Sequence, residues 1–141
     1  MAHASREEVL EAYQRHAALR AAGDWAGMAS LFTEDGRYYD PLFGWQEGRE
    51  AIGRFLEGAM AGLAERLFTD VWHIVDGDRL VIYWQCTTPG SAKAAAGLYH
   101  GMSALRYAGG GLWAEQMDIY DREEATSSRA SARLEDSSST T

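Results

Sequence analysis

The sequence predicts an α+β fold, with helices packed on one face of a curved antiparallel sheet. Three observations predict it. Apolar residues recur at helical spacing through residues 6–63. The period then switches to extended alternation, from "RLFTDVWHIV" onward. Two hairpin signals, "DGD" at 76–78 and "AGGG" at 108–111, join the later strands in pairs. Helices first and hairpins after is the α+β order.

Each element has a local reason. Ser5 caps the first helix, with Glu8 placed to reach back as a capping box. Val9, Tyr13, His16 and Leu19 share one face of that helix, and Gly23 stops it. Asp24 caps a second, short helix whose stripe, Trp25, Met28, Ala29 and Phe32, reads as core. After "EDG" comes a strand, "RYYDP", with Tyr38 and Asp40 on one face and Tyr39 on the other; Pro41 ends it. Residues 48–63 form a third helix with Ile52, Phe55, Leu56, Ala59 and Leu63 on its apolar face. Three further strands follow "RLFTDVWHIV": "RLVIYWQCTT", then "LYHGMSALRY" after the loop "PGSAKAAAG", then "LWAEQMDIYD". From Glu123 the chain is Ser/Thr-rich and nearly free of large apolar groups, too poor to offset its ordering entropy. The expected organisation is one domain over 1–122 and a mobile tail over 123–141.

Composition narrows the function classes. A hydrophobic fraction of 46% in 141 residues supports a real core. The net charge of -8, with Lys93 the single lysine, argues against nucleic acid and anionic membrane surfaces as partners. Cys86 is alone, so no intrachain disulfide forms, and its apolar run predicts a small buried thiol. His3, His16, His73 and His100 are too scattered for a zinc site, and the triple glycine at 109–111 leads into a strand rather than a phosphate-binding helix. No metal or other cofactor is expected. The first residues carry no apolar signal core and no run is long enough to span a membrane, so the expected location is cytoplasmic.

The combination "GDW…LFTEDGRYYDP…GREAI", followed by antiparallel strands, resembles the nuclear transport factor two-like superfamily, within it the SnoaL-like polyketide cyclases and ketosteroid isomerases. The resemblance covers about residues 7–121. It implies a cone: a curled sheet, helices closing one side, and a central pocket for a small-molecule ligand. It also implies a homodimer through the outer sheet face, which the residues support, since Ile82, Trp84 and Cys86 alternate with Val81 and Tyr83 and leave both faces apolar.

The resemblance also implies site residues. In the isomerases the acid of the matching "DP", here Asp40, shuttles a proton between two carbons. A carboxylate walled by Tyr38, Phe43 and Trp45 is poorly solvated, which suits a base; Asp40 equally has the place to cap the turn at Leu42 and Phe43. The tyrosine that donates to the enolate falls at His16, with Tyr13 one turn earlier as a substitute, and the second donor, an acid, falls at Ser103. These two departures argue against a true ketosteroid isomerase. In the cyclases an acid on the last strand is the acid–base group, and Asp118 matches it. The register that puts Gln116, Asp118 and Tyr120 inward also puts Tyr83, Gln85 and Thr87 inward; Phe55 joins the wall, and Phe43 and Trp45 form the mouth. His73 and His100 read as structural or surface residues, with His100 opposite Ser103. The Arg–Asp pair of related epoxide hydrolases would fall near Gly101 and Ser103, so that chemistry is not expected. The function expected is cofactor-independent acid–base chemistry on a small, largely apolar carbonyl compound, polyketide- or terpenoid-like, by isomerisation, cyclisation or dehydration. A non-catalytic binder, or a dimer with a vestigial pocket, is the alternative.

Overall fold

The computed structural model describes residues 4–60, 67–88 and 97–126. Nine elements follow one another: α1 (Arg6–Ala21), α2 (Trp25–Ala29), β1 (Phe32–Asp40), β2 (Gly44–Glu47), α3 (Arg49–Met60), β3 (Leu67–Asp76), β4 (Arg79–Thr88), β5 (Gly97–Gly109) and β6 (Leu112–Tyr120). The strands form one six-stranded sheet in the order β2-β1-β6-β5-β4-β3. All pairings are antiparallel except β1 with β6, which is parallel. The helices lie on one face of this curved sheet, as the α+β pattern requires. Leu63, most of the 89–97 loop and the tail beyond 126 fall outside the described residues.

Local signals account for most boundaries. Ser5 accepts the Glu8 N–H at 3.1 Å, but only half of the capping box forms: the Glu8 carboxylate instead accepts the Tyr107 hydroxyl at 2.5 Å, tying α1 to β5. Asp24 caps α2 through the Gly27 N–H, and Gly23 between the helices has φ +70°, open to glycine at little cost. Val9, Tyr13, His16 and Met28 are buried, as their spacing predicts; Phe32, expected on the second helix, is buried as the first residue of β1.

Three differences from the sequence expectation have physical causes. First, β1 starts at Phe32, ahead of "EDG". Phe32 pairs with Trp113, and the register then slips before Arg37, so Thr33 to Asp35 bulge outward while the strand continues. Second, Pro41 ends β1 without ending the sheet edge. A tight turn brings in β2, with Asp40 opposite Gly44, whose φ of +76° completes the reversal. Third, residues 122–126 are helical, and Ala125 is fully buried; Asp121 caps this turn through the Glu124 N–H at 2.8 Å. Helix thus runs past Glu123, the expected domain boundary.

Register decides which residues face the helices. Ser103 of β5 pairs with Asp118 of β6 and with Ile82 of β4, so these three share the inner face. On β4 the buried residues are accordingly Leu80, Ile82, Trp84 and Cys86. Tyr83 and Gln85 were expected to point inward; they point outward, beside Met102 and His100. Thr87 shares that face by alternation. Extending the β6 register across two strands put these three on the wrong side, because a residue and its cross-strand partner always share a face.

Candidate functional site

A cavity of about 40 Å³ lies between the helices and the inner sheet face. Its apolar walls include Trp25, Met28, Phe55, Leu56, Phe68 and Trp84; its polar groups are Arg20, Tyr38, Asp40, Tyr99, Ser103, Gln116, Asp118 and Tyr120. The tip of β1 and the middle of β6 supply most of the polar side. Tyr38 pairs with Gln116 and Tyr39 with Met117, so Asp40 and Asp118 come next on the inner side of their strands.

Each aspartate is bonded to the tyrosine of the neighbouring strand. Asp40 sits 2.8 Å from the Tyr120 hydroxyl through both carboxylate oxygens, while the Tyr38 hydroxyl donates to Asp118 Oδ2. Asp40 Oδ1 also accepts the Leu42 N–H at 2.8 Å and the Phe43 N–H at 3.3 Å. Asp40 therefore does both things its setting suggests: it caps the turn and it lines the cavity.

Asp118 is the hub of a buried network. Its Oδ1 accepts the Ser103 hydroxyl at 2.6 Å and the Gln116 amide at 2.9 Å. Ser103 in turn accepts the Trp84 indole N–H at 2.9 Å. Burial pushes the Asp118 carboxyl above the ordinary aspartate range; its three side-chain donors pull it back, and the charge of Asp40 pushes it up again. Gly101 makes the Trp84 contact possible: a Cβ there would sit 2.5 Å from the Ile119 carbonyl oxygen and 2.8 Å from the Trp84 ring. The indole thus occupies room that a side chain at 101 would take.

His16 lies behind this network rather than on the cavity wall. Its Nε2 is 2.9 Å from Gln116 Oε1. Because the Gln116 amide nitrogen donates to Asp118, its oxygen accepts from His16, which fixes the Nε2–H tautomer. Nδ1 is buried with no partner among the described residues. Burial, followed by the nearby Arg20 charge, lowers the His16 pKa from 6.5 to about 4. The imidazole is therefore neutral at pH 7 and positions Gln116. A titration consequence follows. Between pH 6.5 and about 4 the unfolded chain binds a proton that the folded chain refuses. His16 should then cost the fold stability as pH falls, at roughly 1.4 kcal/mol per unit. Chemical denaturation of wild type and His16→Gln across that range checks this; the pH slope of the difference should vanish above 6.5.

Two other expected site residues, Tyr13 and Trp45, are placed elsewhere. Tyr13 does not line the cavity; its hydroxyl donates to Asp70 and its ring packs on His73 at 5.0 Å, so it is not a free donor. Burial and the Asp70 carboxylate raise the Tyr13 pKa above its ordinary value. Trp45 stacks on Tyr39, and the Arg37 guanidinium lies 3.9 Å over its ring, on the opposite side of β1 from Tyr38 and Asp40. It forms no part of the mouth, because Trp45 pairs with out-facing Tyr39. Phe43 is exposed at the rim, edge-on to Phe55. His100 stacks on Tyr83 on the outer face, and neither it nor His73 lines the cavity.

Several lining residues were not anticipated, Tyr99 and Trp84 among them, nor was one ion pair. Arg20 of α1 lines the cavity and pairs with Asp70 of β3 at 2.6 Å. The signal was present: 13, 16 and 20 fall on one helical stripe. Asp70, one of several polar residues in β3 with Thr69, His73 and Asp76, gave no such cue. Among the described residues no cluster of His, Cys, Asp or Glu is arranged to hold a metal, and no helix is long and apolar enough to cross a membrane.

A curled sheet closed by three helices around a polar-floored cavity defines the nuclear transport factor two-like class, and known structures agree. A protein from Catenulispora acidiphila with a ketosteroid isomerase-like fold, in complex with trimethylamine, superposes with a TM-score of 0.71 at 21% identity, over 86% of this chain and 92% of that one. A Shewanella putrefaciens protein, provisionally named a SnoaL-like polyketide cyclase, gives 0.72 at 17%, over 89% and 87%. TerC, co-crystallised with polyporic acid, gives 0.69 at 18%, over 89% and 98%. No curated protein matches in sequence. The SnoaL-like domain pattern matches residues 12–123, and the chain belongs to that family.

Proposed function

We propose that this domain binds a small, largely apolar carbonyl compound, polyketide- or terpenoid-like, and rearranges it by acid–base chemistry without a cofactor. The observation that carries this reading is the pair of cavity aspartates in unlike surroundings. Two carboxyls whose environments differ divide acid and base roles between them. Asp40, beside Phe43, accepts two N–H groups of its own turn and the Tyr120 hydroxyl. Asp118 is buried and its pKa is raised, which favours a held proton.

In this mechanism Asp40 takes a proton from the carbon next to the carbonyl. The C–H bond breaks, its electron pair becomes the enolate double bond, and negative charge moves to the oxygen. Where the substrate carries a β,γ double bond the enolate is a dienolate, and return of the proton from Asp40 at the γ carbon gives isomerisation to the conjugated carbonyl. Loss of a β-hydroxyl, protonated from Asp118, gives dehydration; attack of the enolate carbon on a second carbonyl gives cyclisation. One structural neighbour was co-crystallised with a small organic acid, polyporic acid, which supports a small-molecule ligand. At about 40 Å³ the cavity is far smaller than a filled ligand site, so a ring-sized ligand has to displace side chains such as Met28 and Phe55. The same tightness favours the second reading, a binder or vestigial pocket.

The test is α-proton exchange. A small cyclic ketone in deuterated buffer, followed by NMR, should exchange faster with the protein than with an equal concentration of acetate. Saturable binding without exchange would leave a binder; no binding at all would leave a vestigial pocket.

The partner proposed for the outer face is a second copy of the chain. Trp72, Tyr83, Met102 and Ile119 form one cross-strand row there, and Trp72, Met102 and Ile119 are exposed. The next row, Ile74, Val81, Ala104 and Met117, carries no charge either. A twofold pairing sets these rows against themselves. Met102→Glu should convert a dimer to a monomer in sedimentation analysis; a wild-type monomer at all concentrations would contradict the pairing.

A further inference from the structure

We propose that Arg20 is the ligand-binding cation of the cavity: it donates to the carbonyl oxygen and holds the charge that gathers there as the enolate forms. The inference rests on the function proposed above and specifies the oxygen-bearing half of its substrate.

Enolate formation needs a donor at the oxygen. The donors that the sequence offers are engaged. His16 donates to Gln116 behind the wall, Ser103 donates to Asp118, and Tyr13 donates to Asp70. Arg20 differs. Its side chain is 9% exposed and lines the cavity, and one nitrogen, Nη2, donates to Asp70 Oδ2 at 2.6 Å. The second Asp70 oxygen is buried with no partner among the described residues, so the pair is held by one arm. A guanidinium carries five N–H groups in a fixed fork. One nitrogen pairs with Asp70 and the guanidinium also hydrogen-bonds Tyr13; the rest of the fork is offered to an acceptor in the cavity, while Asp70, bonded also to Tyr13, keeps the fork in place.

The placement suits the chemistry. Asp70 stands on β3 at one edge of the sheet, and Asp40 on β1, four strands away in the order β1-β6-β5-β4-β3. Base and cation therefore belong to opposite walls. When Asp40 takes the proton it becomes neutral, and the same unit of negative charge appears on the ligand oxygen. The total charge is unchanged; its position moves toward Arg20. That move is what a fixed cation rewards, because the attraction is stronger in the enolate than in the ketone.

Two ring probes test this: 4-nitrophenol, which has an ionisable oxygen, and nitrobenzene, which has none. Bound to wild type, nitrophenol should ionise at a pH about one unit lower than in buffer, a roughly tenfold preference for the phenolate, read from its absorbance. Arg20→Met should lose that preference and still bind nitrobenzene; Arg20→Lys should recover part of it. Because Arg20→Met strands Asp70, the double variant Arg20→Met/Asp70→Asn is measured beside it, with folding followed by circular dichroism, and should behave alike. Nitrobenzene and nitrophenol binding with no phenolate preference, or a preference that survives in both Arg20→Met variants, overturns the assignment of Arg20 alone. Failure of both probes to bind wild type overturns the proposed function and this assignment together.

Discussion

Asp40→Asn should slow α-proton exchange of a bound cyclic ketone by about 10²- to 10⁴-fold, the usual worth of a positioned general base. The variant isolates chemistry from structure. An asparagine oxygen can still accept the Leu42 and Phe43 N–H groups that Asp40 accepts at 2.8 and 3.3 Å, so the turn into β2 stays capped. The Tyr120 hydroxyl, 2.8 Å from both oxygens, keeps an acceptor too. What is lost is the ability to take a proton. The melting temperature should move little while the exchange rate collapses. Exchange that persists at the wild-type rate would assign Asp40 to the turn alone.

Asp118→Ala should have the largest effect on stability, a loss of about 3–5 kcal/mol by urea denaturation. Three donors converge on this carboxyl, from Tyr38, Ser103 and Gln116, and all three residues are buried. Truncation leaves Tyr38 and Ser103 without this acceptor and Gln116 with only the Tyr38 hydroxyl at 3.3 Å, and each stranded buried donor costs about 1–3 kcal/mol. Asp118→Asn keeps an oxygen for Ser103 and Gln116 and should cost clearly less. The pH dependence of the wild type adds a check on sign. Because the folded-state pKa of Asp118 lies above 3.8, the folded chain binds more protons than the unfolded one in the interval between. That contribution falls as pH rises through it. It opposes the His16 contribution, which rises with pH, and only Asp118 variants should remove it.

The fold was legible in the sequence because its signals are local. The Ser5 and Asp24 caps, the glycine stop at Gly23 and the "DGD" turn each depend on a few neighbouring residues, and each forms where it stands. The shift to period two announced the later strands. Less legible was what depends on partners. β2 escaped notice because Pro41 reads as a stop, and only the pairing of Asp40 with Gly44 shows that the chain doubles back. The Tyr83 and Gln85 assignment failed because the inward phase of one strand was carried to another without the intervening pairing of Ser103 with Ile82. In the candidate site, Asp40, Tyr38, Ser103, Gln116, Asp118 and Tyr120 come together as the resemblance implied. His16 and Tyr13 face the right way on α1 but are taken up by Gln116 and Asp70, long-range partners that no spacing along the chain reveals. The Arg20–Asp70 pair was hidden for the same reason, being separated by 50 residues.

The proposed chemistry requires a carbonyl ligand to reach the two aspartates. The most direct measurement is the side-chain carboxyl ¹³C spectrum of the protein, with Asp40 and Asp118 assigned through their Asn variants, recorded while a small cyclic ketone is added. Both signals should move along one saturating curve, since both carboxyls face the same cavity. Saturable binding that leaves both signals unmoved would put the ligand elsewhere and contradict the account.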